Sequence, residues 1–295
     1  MNLVITGSLG NISQPLTKEL VQKGHSVTVI SSNPEKSKDI EALGAAAAIG
    51  SVEDANFLTA TFSGADAVYC MVPPNHFAEG DPIAYFRMIG NNYAQAIQQS
   101  GAKRVVHLST YGTHLDKGTG LILGSHNVEQ ILNRLSGVAI THMRPTYFYY
   151  NLLSFVNRIK KTGTIAANYG ADKVVMVSPG DIAAAVAEEI VTPINGNKVR
   201  YVASDEVTGT EIASILGEAI GKPDLKWVII TDEQMKSNYE AIGTPPQIIA
   251  GLVEMFASLR TGKLAEDYHR NAPAIMGKVK FKDYAKEFAS IYQQK

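Results

Sequence analysis

The sequence predicts an α/β fold, a doubly wound parallel sheet with a smaller C-terminal α/β lobe, and three observations carry that prediction. A short apolar strand runs straight into a turn punctuated by Gly7 and Gly10. Apolar runs then alternate with stretches of helical periodicity, the pattern of βαβ units and parallel pairing. The 295 residues, 45 % of them hydrophobic, are enough to bury a large core as one big domain or as a domain plus a lobe.

Taken in order, Leu3–Thr6 reads as a buried strand, followed by Gly7-Ser8-Leu9-Gly10-Asn11-Ile12-Ser13 in the form G-x-x-G-x-x-S. Gly7 permits the tight turn, Gly10 lets backbone approach a pyrophosphate, and Ser13 is small enough for the next helix to lie close on the strand. That helix, Gln14 to Gly24, aims unpaired N–H groups and its positive dipole end at the anion. Gly7, Ser8, Gly10, Asn11 and Ile12 are the expected diphosphate contacts; a plain strand-to-helix turn would use the same glycines.

The second strand is Ser26–Ile30, and the helix Pro34–Leu43, stopped by Gly44, leads to the third, Ala45–Ile49. The helix Ala55–Phe62 precedes the fourth strand, Ala67–Met71, and the longer helix Ile83–Ser100 precedes the fifth, Arg104–Leu108. Ser125–Leu135 is the helix before the sixth, Ala139–Arg144. Right-handed crossovers place these strands in the order 3-2-1-4-5-6, with ligand over the carboxyl ends of strands one, four and five.

Beyond residue 150 the pattern loosens. Asn151–Gly163 reads as a helix and Val174–Ser178 as a strand; Pro179-Gly180-Asp181 caps the helix Ile182–Ile190, and Val199–Ala203 returns to the main sheet. The helix Thr208–Ile220, the strand Lys226–Ile230 and helices near Asp232–Ile242, Pro246–Thr261 and Phe281–Gln293 complete the chain. No repeat or low-complexity linker interrupts it. Residues 1–150, with 181–203, are therefore the expected dinucleotide domain, and 151–180 with 204–295 a substrate lobe closing over its edge.

A formal net charge of −1 offers no global attraction to nucleic acid or an anionic membrane. A single cysteine, Cys70, excludes an internal disulfide and any multi-cysteine metal site, and its apolar run marks it as an inert core thiol; no metal is expected. No apolar stretch approaches the roughly 20 residues that span a bilayer, and the first residues read as core strand rather than signal peptide, so the expected location is the cytoplasm.

The opening Val4-Ile-Thr-Gly-Ser-Leu-Gly-Asn11, the segment Val68-Tyr-Cys-Met-Val-Pro-Pro74, the stretch Gly101-Ala-Lys-Arg-Val-Val-His-Leu-Ser-Thr110 and Met143-Arg-Pro-Thr-Tyr-Phe-Tyr-Tyr-Asn151 together resemble the NmrA-like atypical short-chain dehydrogenase/reductases. Within that group the chain looks most similar to the NAD(P)H-dependent quinone and triphenylmethane reductases. The resemblance implies an NAD(P)-binding Rossmann fold with a small substrate lobe, and either hydride transfer or dinucleotide sensing. It also implies that Val72, Pro73 and Pro74 lie beneath the nicotinamide, that Pro145 and Thr146 lie against its carboxamide, and that Ser51-Val52 occupies the family's acidic adenine-contacting position, with Val52 the expected contact.

Cofactor choice is read at the end of the second strand. An NAD-specific site places Asp or Glu there, which would repel a 2′-phosphate; this chain has Ser31-Ser32-Asn33, so NADP(H) is expected over NAD(H). NADP-binding relatives carry Arg where Ser32 or Asn33 stands, so hydroxyls, an amide and Lys36 are left to hold a phosphate without a bidentate fork. An ordinary turn and helix cap explains the same residues.

Short-chain alcohol dehydrogenases use a Tyr-x-x-x-Lys pair as their proton exchanger; here Tyr111 has Leu115 four residues on, and the helix region where the pair would fall reads Leu123-Gly-Ser-His-Asn127. The candidate catalytic residues are instead His126 as a proton donor at a helix start, Ser109 at the crevice, and Tyr147, with Tyr149 and Tyr150 as further aromatic walls. A structural histidine and lobe packing explain His126 and the tyrosines equally well. An electron-poor acceptor needs little acid catalysis, because stacking and water exclusion do most of the work. The expected function is thus NAD(P)H-dependent reduction of a small conjugated acceptor such as a quinone or dye. A non-catalytic redox sensor regulating a protein partner is the alternative, and a nucleotide-sugar epimerase or dehydratase a weaker one. A homodimer is left open.

Overall fold

The structure, a computed structural model, describes residues 1–73 and 80–294. The N-terminal half runs β1 (Asn2–Ile5), α1 (Ser13–Gln22), β2 (Ser26–Ser31), α2 (Ser37–Ala42), β3 (Ala46–Ile49), α3 (Ala55–Phe62), β4 (Ala67–Met71), α4 (Pro82–Ser100), β5 (Arg104–Leu108), α5 (Ile122–Leu132) and β6 (Ala139–Pro145). The rest runs β7 (Tyr147–Phe148), α6 (Val156–Thr162), β8 (Thr164–Ala167), β9 (Val174–Val177), α7 (Pro179–Val191), β10 (Lys198–Val202), β11 (Asp205–Val207), α8 (Gly209–Ala219), β12 (Lys226–Ile229), α9 (Asp232–Ala241), α10 (Pro246–Arg260), α11 (Glu266–Arg270) and α12 (Phe281–Gln294).

The main sheet has seven parallel strands in the order β10-β6-β5-β4-β1-β2-β3, the expected six with β10 returned beside β6. Alternate residues of each strand serve opposite faces. Leu3, Ile5, Tyr69 and Val106 meet α1 and α7 on one side, while Val4, Val68, Cys70 and Val105 meet α3, α4 and α5 on the other. Helix α7 shows why a short alanine-rich segment docks there: Ile182, Ala183, Val186, Ala187 and Ile190 all fall on its buried stripe. Its cap is Ser178, whose hydroxyl accepts from the Gly180 amide, whereas Asp181 reaches out of the helix to the Lys278 and Val279 amides at 3.0 Å each.

The lobe has its own core and two small sheets, β11-β9-β7 and β12-β8. All five of these strands span only two to four residues, and β7, β8 and β11 are not marked by any alternation in sequence. The expected helix over 151–163 is split into a 3₁₀ stretch, Tyr149–Phe155, and α6. Helix α10 is clamped against the Rossmann half at Gly120, where a Cβ would lie 1.9 Å from the Gly251 carbonyl oxygen. Among the described residues no helix is long and apolar enough to cross a membrane.

Candidate functional site

The turn after β1 has its shape for a steric reason. Gly7 has φ of 92°, and a Cβ there would meet Ser13 Oγ at 2.6 Å. That oxygen is where it is because the Ser13 hydroxyl donates to the Thr6 carbonyl at 2.8 Å, pinning α1 to β1. Ser8 follows with φ of 52°, the left-handed region that costs a non-glycine residue energy, and its hydroxyl donates to Ser31 Oγ at 2.9 Å. The Gly10 amide closes back on the Gly7 carbonyl, while the amides of Asn11, Ile12 and Ser13 have no acceptor among the described residues. These are the free donors of a helix start, facing a cleft whose wall they form.

The cleft has a volume of about 1080 Å³, above the roughly 300–1,000 Å³ that houses one drug-sized ligand. From the glycine turn one arm passes Ser31 and Ser32 at the end of β2 and Gly50, Ser51, Val52 and Glu53 after β3. Glu53 is thus the carboxylate at this end, two residues past the expected Ser51. Asn33 does not line the arm; its side chain accepts from the Glu35 amide at 2.9 Å and caps a 3₁₀ turn. Lys36 is paired with Asp39 at 3.2 Å.

The middle of the cleft is floored by Met71, Val72, Pro73, His107 and Ser109. His107 has one possible tautomer. The Ile140 amide donates to Asn197 Oδ1, so Asn197 Nδ2 donates to Asn133 Oδ1 at 2.8 Å, and that oxygen must also accept from His142 Nε2 at 3.1 Å. His142 Nδ1 is then bare and accepts from His107 Nδ1 at 3.0 Å, which leaves His107 Nε2 as a lone pair. Burial, with His142 beside it, pushes the His107 pKa down to about 3, so it is a neutral acceptor.

Ser109 is committed in the opposite sense. Its hydroxyl donates to Glu129 Oε1 at 2.5 Å, and the same carboxylate takes Thr113 Oγ1 at 2.9 Å and Arg144 at 3.0 Å and 2.7 Å. Burial would raise the Glu129 pKa, but these bonds and the guanidinium hold it down to about 2. Ser109 therefore presents lone pairs to the cleft and has no proton to give. Arg144 also bonds Asp267 of α11 at 3.0 Å, so one buried guanidinium joins β6 and α5 to the lobe.

The far end is a chamber of Tyr147, Phe148 and Tyr150 facing Tyr239, Leu252, Met255 and Phe256 from α9 and α10. Phe256 stacks on Tyr169 at 5.2 Å, and Tyr169 shares a 2.8 Å hydroxyl contact with Tyr147. Burial raises the Tyr147 pKa and pushes Tyr150 up to about 12, so both stay protonated near neutrality.

Several expectations are corrected by these positions. His126 does not line the cleft: α5 begins at Ile122 rather than Ser125, Ser125 is the residue that faces the cavity, and His126 Nδ1 lies 2.8 Å from the Thr113 carbonyl. Pro145 lies within β6 beside Val202 and is not a cleft residue. Tyr149 is stacked on Tyr284 at 5.2 Å inside the lobe core. Pro74 lies outside the described residues. Gly7, Ser8, Gly10, Asn11, Ile12, Ser31, Ser32, Val52, Val72, Pro73, Ser109 and Tyr147 all line the one cavity. Sequence reading missed His107 and the α9–α10 wall; nothing local marks either, since His107 sits inside an apolar strand.

A dinucleotide fits this donor set: free amides at the start of α1 for a diphosphate, hydroxyls for ribose or phosphate, and a Gly7 that no side chain could replace. The NmrA-like family profile matches residues 1–281. An NAD(P)H azoreductase of Xenophilus azovorans is 25% identical over 295 residues, covering 98% of this chain and 99% of that protein. An NADPH-dependent quinone oxidoreductase of Escherichia coli superposes with a TM-score of 0.78 at 20% identity, covering 97% of this chain and 99% of that one. A triphenylmethane reductase of Citrobacter sp. superposes with a TM-score of 0.79 at 18% identity, covering 98% and 100%.

Proposed function

The chain belongs to the NmrA-like family, and from that premise we propose that it is an NAD(P)H-dependent reductase of small conjugated acceptors such as quinones or dyes. The observation that carries this reading is the continuity of the cleft, from free main-chain amides at Asn11 and Ile12 to an aromatic chamber at Tyr147, Tyr150 and Phe256. The names of the relatives, an azoreductase, a quinone reductase and a dye reductase, point to the same acceptor class.

A bound reduced nicotinamide supplies the hydride, which with one proton from solvent converts a quinone to its hydroquinone. The residues do the rest by placement. The α1 amides hold a diphosphate, Val72 and Pro73 give a stiff floor, and Ser109 and the His107 lone pair accept hydrogen bonds from a carboxamide or ribose. The chain's Tyr169-x-x-x-Lys173 does not line the cleft, and among the described residues in the middle of the cleft none both holds a free proton and titrates near neutrality. Stacking in the chamber then orients an acceptor and excludes water. NADP(H) is favoured over NAD(H), supported by the lack of a carboxylate at Ser31-Ser32-Asn33.

The test is oxidation of NADPH with menadione, a triphenylmethane dye and an azo dye, against a secondary alcohol with NADP+ and a nucleotide-sugar as controls. Turnover of the conjugated acceptors alone is expected. Tight coenzyme binding without turnover of any of them would overturn the enzyme reading in favour of a sensor.

A further inference from the structure

Two neighbouring groups in the middle of the cleft are hydrogen-bond acceptors. His107 and Ser109 stand two residues apart along the line of β5, and the Ser109 amide continues the ladder to the Met143 carbonyl at 2.8 Å, so both side chains rise from one face of the sheet. Ser109 accepts because its proton goes to Glu129, and His107 because its Nδ1 proton goes to His142. His107 Nε2 has no partner among the described residues, yet it is not one of their sealed unpaired atoms, as both ring nitrogens of His114 are; it therefore opens on the cleft that His107 lines.

What fixes the direction of the His107 bond lies outside the cleft. Asn197 and Asn133 are both exposed and neither lines the cavity, but their amides act in series. The Ile140 amide donates to Asn197 Oδ1 at 3.3 Å, Asn197 Nδ2 to Asn133 Oδ1 at 2.8 Å, and His142 Nε2 to that same oxygen at 3.1 Å. A main-chain N–H can only donate, so each later bond takes its direction from the first.

We propose that Asn197 and Asn133 are positioning residues that, through His142, hold His107 as an acceptor beside Ser109, so that the middle of the cleft takes a coenzyme group that donates hydrogen bonds, the carboxamide NH2 or the ribose hydroxyls. The contact with coenzyme rests on the reductase reading; what is added is that two surface amides decide its direction.

Two isosteric variants separate direction from charge. Asn197→Asp still accepts from the Ile140 amide, but its second oxygen now meets Asn133, whose amide turns to donate both to the new carboxylate and to His142 Nε2. His142 Nδ1 then carries the proton and donates to His107, and His107 Nε2 becomes an N–H. Asn133→Asp adds the same charge at the adjoining position and keeps every bond in its native direction. Long-range proton–nitrogen NMR of histidine-labelled protein without coenzyme, at about pH 8 where both imidazoles are neutral, reads the tautomer. The Nδ1–H form of His107 is expected in the wild type and Asn133→Asp, and the Nε2–H form in Asn197→Asp. NADP+ is expected to bind Asn197→Asp about tenfold more weakly than Asn133→Asp, from one lost hydrogen bond and one unpaired donor. The nicotinic acid analogue of NADP+, with a carboxylate for the carboxamide, tells the two donors apart: it gains from the new N–H if the contact is to the carboxamide, and loses as much as NADP+ if it is to the ribose. An unchanged His107 tautomer in Asn197→Asp, or equal NADP+ affinity in the two variants, would overturn the proposal. Wild-type protein that binds no coenzyme would sink the reductase reading, and the spectra alone would then decide whether the two amides set the tautomer.

Discussion

At the glycine-turn end of the cleft, proposed for the diphosphate, the wall is main chain: a glycine of φ 92°, three amides without acceptors among the described residues, and a serine that pins α1 to β1. At the opposite end, proposed for the acceptor, it is side chain, with Tyr147 and Tyr150 after β6, Tyr239 from α9, and Met255 and Phe256 from α10. The first surface depends on backbone conformation and tolerates sequence drift wherever that conformation survives. The second is specified residue by residue by segments far apart in the chain. The group Glu129–Arg144–Asp267 ties α5 and β6 of the Rossmann half to α11 of the lobe.

Cutting that tie is the strongest way to test the contrast. Glu129→Gln leaves Arg144 buried without its main counter-charge, at a cost of about 3–5 kcal/mol, read as a lower urea midpoint. The acceptor KM is expected to rise more than the NADPH Kd, since the lobe carries the acceptor wall. The acid limb gives an independent check. The wild-type Glu129 carboxyl titrates near 2 in the fold against 4.5 ordinarily, so its stabilisation is complete above 4.5 and lost as pH falls toward 2. Acid unfolding curves of the Gln variant are expected to lack that component.

Gly7→Ala attacks the main-chain end alone. A left-handed alanine whose Cβ meets Ser13 Oγ at 2.6 Å displaces α1, and NADPH binding measured by calorimetry is expected to weaken about a hundredfold. Phe256→Ala attacks the side-chain end alone. It removes a chamber wall and a stacked pair, and kcat/KM for menadione is expected to fall about tenfold with the NADPH Kd within a factor of about two.

Smaller effects sharpen the picture. With Ser32 in the cleft and no guanidinium lining it among the described residues, NADPH is expected to be preferred to NADH by less than about tenfold in kcat/KM, and Ser32→Arg to widen the ratio. The smallest effect is none: kcat is expected to stay flat between about pH 5 and 9, because His107 titrates near 3 and Tyr150 near 12.

The same contrast decides what was legible in the sequence. The glycine turn and the order of the six strands follow from local rules, steric at Gly7 and periodic in the strands, and both stand in the structure. The chamber was not legible beyond Tyr147 and Tyr150. Helix α10 is apolar over much of its circumference, and only its close approach at Gly120 and Gly251 decides that Leu252, Met255 and Phe256 turn toward the cleft. His126 was misread for a related reason: successive helical residues point about 100° apart, so the face seen by Ser125 is not the face seen by its neighbour. The hydrogen bonds that disarm Ser109 and His107 as proton donors run to partners 20 and 35 residues away, beyond any local pattern.

The most direct measurement is calorimetric titration of the purified protein with NADPH, wild type beside Gly7→Ala. The account predicts saturable binding at one site per chain, weakened in the variant without loss of fold by circular dichroism. Absence of binding to the wild type, or equal affinity in the two proteins, would contradict a coenzyme site built on the amides that follow β1.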